Sequence, residues 1–169
     1  GARIANALAS TGESLAAVTA GLDAFTFGGT KNGGGACEAI LFRDRVHADR
    51  ARVVAKQQGL LHAKLWEQSV QIGALLEDDL WLKNASHANA MASRLADAIS
   101  GVPGVEFTHR VEANFVFATL PIAAIKPLQD KYHFYTWTER INEVRLMTTW
   151  AHTESDVDEL ATDIRGECT

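Results

Sequence analysis

The chain is 169 residues long, 47% apolar and 22% charged, with a net charge of −5. Its size suits one domain or two small ones, and its apolar content excludes disordered, collagen-like and coiled-coil classes. Two cysteines argue against a disulfide framework and for a reducing, cytoplasmic compartment. The acidic balance argues against nucleic acid as a partner, and no run of about 18 apolar residues exists to cross a membrane.

In chain order, residues 2–9 and 13–20 carry two short amphipathic helical patterns, separated by a Thr11-Gly12 break. Residues 22–27 alternate and carry aromatics, as a strand does. A glycine-dense loop follows at 28–35, and residues 36–42 read as a second, mostly buried strand. One long helical pattern runs from His47 to about Leu76, broken in composition only by Gly59 and Gly73. Val53, Val54, Leu60, Leu61, Leu65 and Trp66 recur in it at helical spacing. Glu77, Asp78 and Asp79 are placed to begin the next helix, about 79–100, which stops at Gly101-Val102-Pro103-Gly104. Short strand-like runs then fall at 105–108, 113–120, 132–137 and 143–150. A helix at about 122–131 separates the second from the third, and residues 154–165 close the chain as a helix. This second part reads as a compact α+β unit, with the boundary in the helix around residues 79–90.

The glycine loop, Phe27-Gly28-Gly29-Thr30-Lys31-Asn32-Gly33, is the most informative segment. Glycine permits unusual dihedrals and close approach to a ligand. A lysine held there could form a Schiff base with a carbonyl cofactor, and Thr30 with nearby N–H groups could donate to a phosphate. A Walker loop fails, because Asn32 follows Lys31 and Phe25 stands where its first glycine would be. A mobile surface loop with a solvated lysine fits the spacing equally well. Arg145 lies inside an apolar strand, on the same face as Met147 and opposite Val144 and Leu146. It either faces solvent or captures a carboxylate with its planar fork. The histidines show no metal-ligand spacing. Tyr132, Phe134, Tyr135 and Trp137 read as sheet and core. The basic residues around Arg43–Lys56 read as a solvated mixed-charge face.

Gly1-Ala2-Arg3, the stretch Asp23–Gly33, Asn114-Phe115-Val116-Phe117 and Val144-Arg145-Leu146-Met147-Thr148 occur in one order. That order and spacing resemble the low-specificity L-threonine aldolases, fold-type I enzymes of pyridoxal 5′-phosphate, and their phenylserine aldolase branch. The resemblance implies an α/β fold: the last strands and helices of a large cofactor-binding domain (residues 1–82), then a small α+β domain (83–169). It implies Lys31 as the Schiff-base lysine and Arg145 as the main clamp on the substrate carboxylate. Arg3 would lie near cofactor and carboxylate, Thr30 and Lys56 on the cofactor side. The implied reaction cleaves L-threonine, L-allo-threonine or a related β-hydroxy-α-amino acid to glycine and an aldehyde, in a homotetramer. Another fold-type I lyase or transaminase, or an inactive fragment serving as a binding module, stays open beside it. The family's aspartate before Gly-Ala-Arg, its phosphate-binding turn, its ring-stacking histidine and its histidine base have no counterpart in this sequence. The resemblance therefore covers only the C-terminal half of the family's chain. It implies an N-terminal half as partner and a parallel sheet lacking most of its strands.

Overall fold

Two strands joined by a short glycine-rich loop have one pairing open to them. Parallel strands need a crossover of about a dozen residues or more, usually a helix, and residues 29–37 contain none. In the computed structural model, which describes residues 1–168, β1 (Ala24–Gly28) and β2 (Glu38–Phe42) accordingly pair antiparallel. Phe25 lies opposite Leu41 and Phe27 opposite Ala39. No parallel pair occurs among the described residues. The chain divides into two compact units, residues 1–84 and the residues from Ala85 onward.

The first unit holds α1 (Ile4–Thr11), α2 (Leu15–Val18), the hairpin, α3 (Arg45–Gln57) and α4 (Trp66–Leu76). Its core is small: Ala5, Leu8, Phe27, Cys37, Leu75 and Trp81 are buried. Trp81, at the start of α5 (Leu80–Ile99), meets the Phe27 ring edge to face, with centroids 5.3 Å apart.

Three expectations need correction here. The long helix is two helices, because Gly59 stops the first. Gly59 sits at φ +69°, its N–H donates to Lys56 O and the Leu60 N–H donates to Ala55 O. That is the Schellman pattern, which satisfies the last carbonyls of α3 and turns the chain out of the helix. Glu77–Asp79 do not begin α5. They form a separate 3₁₀ turn in which Asp78 and Asp79 take positive φ values of 49° and 55°. The second strand is not mostly buried: Ile40 is 62% exposed and Leu41 40%. Contacts from α3 and α4 cover β2 only in part, so Ala39 and Phe42 are half-buried while Ile40 and Leu41 stay open within the described residues. α3 likewise has no buried residue, and Val46, Val53, Val54 and Trp66 are exposed.

The second unit is built on a four-stranded antiparallel sheet in the order β3 (Glu106–Phe107), β4 (Phe115–Thr119), β6 (Glu143–Met147), β5 (Tyr135–Thr138). One face buries Val116, Ala118, Val144 and Leu146. Against them pack Leu95 and Ile99 of α5, Leu128 of α6 (Ile122–Lys131), and Val157 and Ile164 of α7 (Glu154–Glu167). Asn114 and Thr148 tie this core together. The buried Asn114 donates from Nδ2 to Thr148 O at 2.6 Å, and Thr148 Oγ1 donates to Ala88 O of α5 at 2.7 Å. A capping box between Thr153 and Asp156 begins α7.

Two ion-pair groups fasten α7. Arg94 grips Asp158 with two parallel bonds of 2.8 Å, and Lys131 reaches Asp163 at 2.6 Å and Glu159 at 2.8 Å. The Arg94 hydrogen bond holds the Asp158 carboxyl below the usual range, and those from Lys131 and then Tyr132 do so for Asp163. A carboxyl whose folded pKa is depressed stabilises the fold above its unfolded pKa and loses that contribution as pH falls through the folded value. Thermal unfolding followed against pH should therefore show a level Tm above about pH 5 and a decline below about pH 4. Asp158→Asn should lower Tm near neutrality and flatten that decline. An unchanged Tm at low pH contradicts the role of these pairs.

Candidate active site

The lysine loop owes its glycines to its own packing. A Cβ at Gly29 would run into Cys37 Sγ and Leu75 Cδ1, and one at Gly34 would lie 2.6 Å from Cys37 Sγ. Gly33 sits at φ +100°, where a side chain is strained. The loop is cross-braced: Gly29 N–H donates to Cys37 O at 2.8 Å, and the N–H groups of Asn32 and Gly34 both donate to Gly29 O at 2.9 Å. Gly35 N–H donates to Gln71 Oε1 of α4 at 2.7 Å. Burial pushes the Cys37 thiol up, so it serves as neutral packing beneath the loop. The loop is thus braced by bonds within it and from α4.

Asn32 is the deepest brace. Its side chain is buried and donates from Nδ2 to Trp81 O at 2.7 Å, and its own carbonyl accepts from Asn84 Nδ2 at 2.9 Å. The neighbouring Lys31 side chain is exposed. It borders a cleft of about 620 Å³ whose walls include Gly1, Arg3, Ala7, Leu22 and Phe25. Lys31 and Arg3, far apart in sequence, border the same open, shallow cleft. Arg3 stands at the N-cap position of α1 without a capping side-chain bond, and its Nη1 donates to the buried Asn6 Oδ1 at 3.5 Å.

The other two residues assigned to the cofactor side are placed differently. The Thr30 hydroxyl donates its one proton to Gly35 O at 2.8 Å, inside the loop. Lys56 is exposed in the last turn of α3 and is not among the residues lining the Lys31 cleft. An amine and a guanidinium over an apolar floor suit a ligand that carries both a carbonyl and an anionic group. Pyridoxal phosphate has that chemistry, and the residues present fit it.

Arg145 belongs to the second unit, in the middle of β6. Tyr135 of β5 and Phe117 of β4 are its direct cross-strand partners. Its guanidinium carbon lies 4.7 Å from the Trp137 ring centroid, 5.5 Å from Tyr135 and 5.9 Å from Phe115. Nε is sealed from solvent with no acceptor among the described residues. Sequence reasoning missed this wall: Phe134 is core, but Tyr135 and Trp137 are exposed on the opposite face of the sheet. Alternation in Tyr135-Thr136-Trp137 and Phe115-Val116-Phe117 could have put all four rings on the Arg145 face, given the strand register.

A family model described as Beta-eliminating lyase matches residues 1–122. Two curated relatives, each named Low specificity L-threonine aldolase, come from Pseudomonas sp. (strain NCIMB 10558) and Pseudomonas aeruginosa. Each is 42% identical over 168 residues, covering 98% of this chain and 48% of the relative. The chain thus spans about half the length of the curated relatives it matches. The solved structure of a Leishmania major threonine aldolase is 29% identical with a TM-score of 0.89, covering 100% of this chain and 51% of that one. Pyridoxal phosphate is the cofactor of this family. With the family model matching well over half of its residues, the chain belongs to the beta-eliminating lyase family.

Proposed function

We propose that the protein carrying this chain cleaves β-hydroxy-α-amino acids, L-threonine or L-allo-threonine being the simplest, to glycine and an aldehyde. The observation that carries this reading is the shared cleft: Lys31, on a loop braced from behind by Asn32, and Arg3 border one open cleft. The names of relatives at 42% identity support the same substrate class.

Pyridoxal phosphate, when bound, supplies the electron sink for the pair released as the Cα–Cβ bond breaks. Lys31 Nζ is the amine that holds the cofactor through its carbonyl carbon. Arg145 binds the substrate carboxylate, and Arg3 serves the anionic groups at the cleft; fixing the carboxylate orients the bond to be broken. Thr30, whose hydroxyl donates to Gly35 O, and Lys56, which lies outside the Lys31 cleft, carry no role in this reading. The proton of the β-hydroxyl leaves as the aldehyde forms, and Cα regains a proton to become glycine. The base belongs to a further segment of comparable length, N-terminal to this one, and the working assembly is a homotetramer. The uncovered apolar residues on α3, α4 and β2 support such additional partners.

The family description favours one second reading, β-elimination to a keto acid and ammonia. Product analysis with L-threonine separates the two, and ammonia without glycine overturns the aldolase reading.

Two outcomes are expected in the assembled protein. Borohydride treatment of the yellow, cofactor-loaded form should bleach it and leave the cofactor's mass on the Lys31 peptide. Lys31→Ala should lose adduct, colour and turnover together, and retained aldol cleavage in that variant contradicts the assignment. Arg145→Ala should raise KM on the order of 10- to 150-fold, the loss of about 1.5–3 kcal/mol from a charged hydrogen bond. Its affinity for cofactor should stay near that of the unaltered protein; a larger loss of cofactor than of substrate rejects the clamp.

A further inference from the structure

We propose that Trp137, seconded by Tyr135 and Phe115, is a positioning residue that holds the Arg145 guanidinium ready for a carboxylate. The inference rests on the carboxylate role proposed above for Arg145. Cation–π attraction operates within about 6 Å of a ring centroid, and all three rings lie inside that limit, Trp137 nearest at 4.7 Å. Phe117 in turn meets the Trp137 ring edge to face at 5.6 Å, a second contact that restrains the indole.

The nature of these partners matters more than their number. Arg94 and Lys131, the structural cations of the same unit, are ion-paired to carboxylates. The Arg145 guanidinium makes no hydrogen bond or ion pair among the described residues, and three aromatic rings lie against it. A carboxylate partner would neutralise the guanidinium and would have to be displaced by any arriving anion. Ring faces restrain it without cancelling its charge and without taking its N–H groups. Of its three nitrogens only Nε is sealed off, so the terminal pair keeps its access. The side-chain entropy of a long arginine is then lost before the ligand arrives, which favours tighter and better oriented capture.

The register explains why Trp137 occupies this place. Tyr135 faces Arg145 directly across β5–β6, and the pairing slips at the bulge between Thr136 and Thr138. The bulge lies beside Trp137, and such irregularities re-aim the side chains next to them.

The test compares Trp137→Leu, Trp137→Phe and Arg145→Lys in the intact, cofactor-loaded protein. Readouts are glycine affinity by calorimetry, cofactor content, and KM and kcat for L-threonine. Trp137→Leu should weaken glycine and raise KM roughly tenfold, while kcat moves less than about twofold and cofactor content holds. Trp137→Phe should recover most of that loss. If Trp137→Leu binds glycine normally while Arg145→Lys does not, the positioning role is wrong and the clamp stands. Normal glycine binding in both variants removes the clamp itself. If Trp137→Leu loses cofactor or stability in step with glycine affinity, and Trp137→Phe does not recover it, the ring is structural and the proposal fails.

Discussion

The buried amide of Asn32 is the interaction on which the candidate site depends. A loop with four glycines between positions 28 and 34 has little intrinsic reason to keep one shape, since each glycine gives up more freedom on ordering than other residues do. Asn32 offsets that cost by using both ends of its polarity at once. Its side chain donates to Trp81 O while its backbone carbonyl accepts from Asn84. Both partners sit in the first turns of α5, more than forty positions away in sequence. The residue beside Lys31 is therefore tied to a helix, and the lysine inherits the helix's rigidity while its amine stays open to the cleft.

Packing beneath the loop follows from the same constraint. Cys37 fills the space that Gly29 and Gly34 leave, and Leu75 of α4 closes it from the far side. These glycines are small because a thiol and a leucine stand behind them, which is a reason internal to the fold. Arg145 shows the complementary strategy in the second unit. There a charge is immobilised by aromatic faces, whereas the helices around it are fastened by neutralising ion pairs such as Arg94 with Asp158.

Much of this was legible in the sequence, and the failures have physical causes. The alternation around Arg145 set it opposite Val144 and Leu146, and both of those are buried. The helix at Ile122–Lys131 and the closing helix from Glu154 stand where periodicity placed them. Gly59 was misread because a glycine inside an apolar period looks tolerable until its φ is known, and only a positive φ makes it a stop. The burial of β2 was misjudged because an apolar run records a need for cover and not its source. The roles of Asn32, Cys37 and Trp137 depend on partners brought by tertiary pairing, and alternation puts Trp137 on the Arg145 face only once the strand register is known. Lys31 and Arg145 could be picked out because their motifs are local. Lys56 rests on resemblance and Thr30 on its place beside Lys31, and the structure sets the first on an exposed helix end and turns the second's hydroxyl into its own loop.

The central claim is that the braced loop presents Lys31 as the cofactor-bearing amine. A crystal structure of the intact protein grown with pyridoxal phosphate tests it most directly. Density should run continuously from Lys31 Nζ into a phosphorylated ring lying in the cleft with Arg3, with the Asn32 amide still on Trp81 O. A ring bound elsewhere, or a Lys31 side chain turned to solvent beside an occupied cleft, would contradict it.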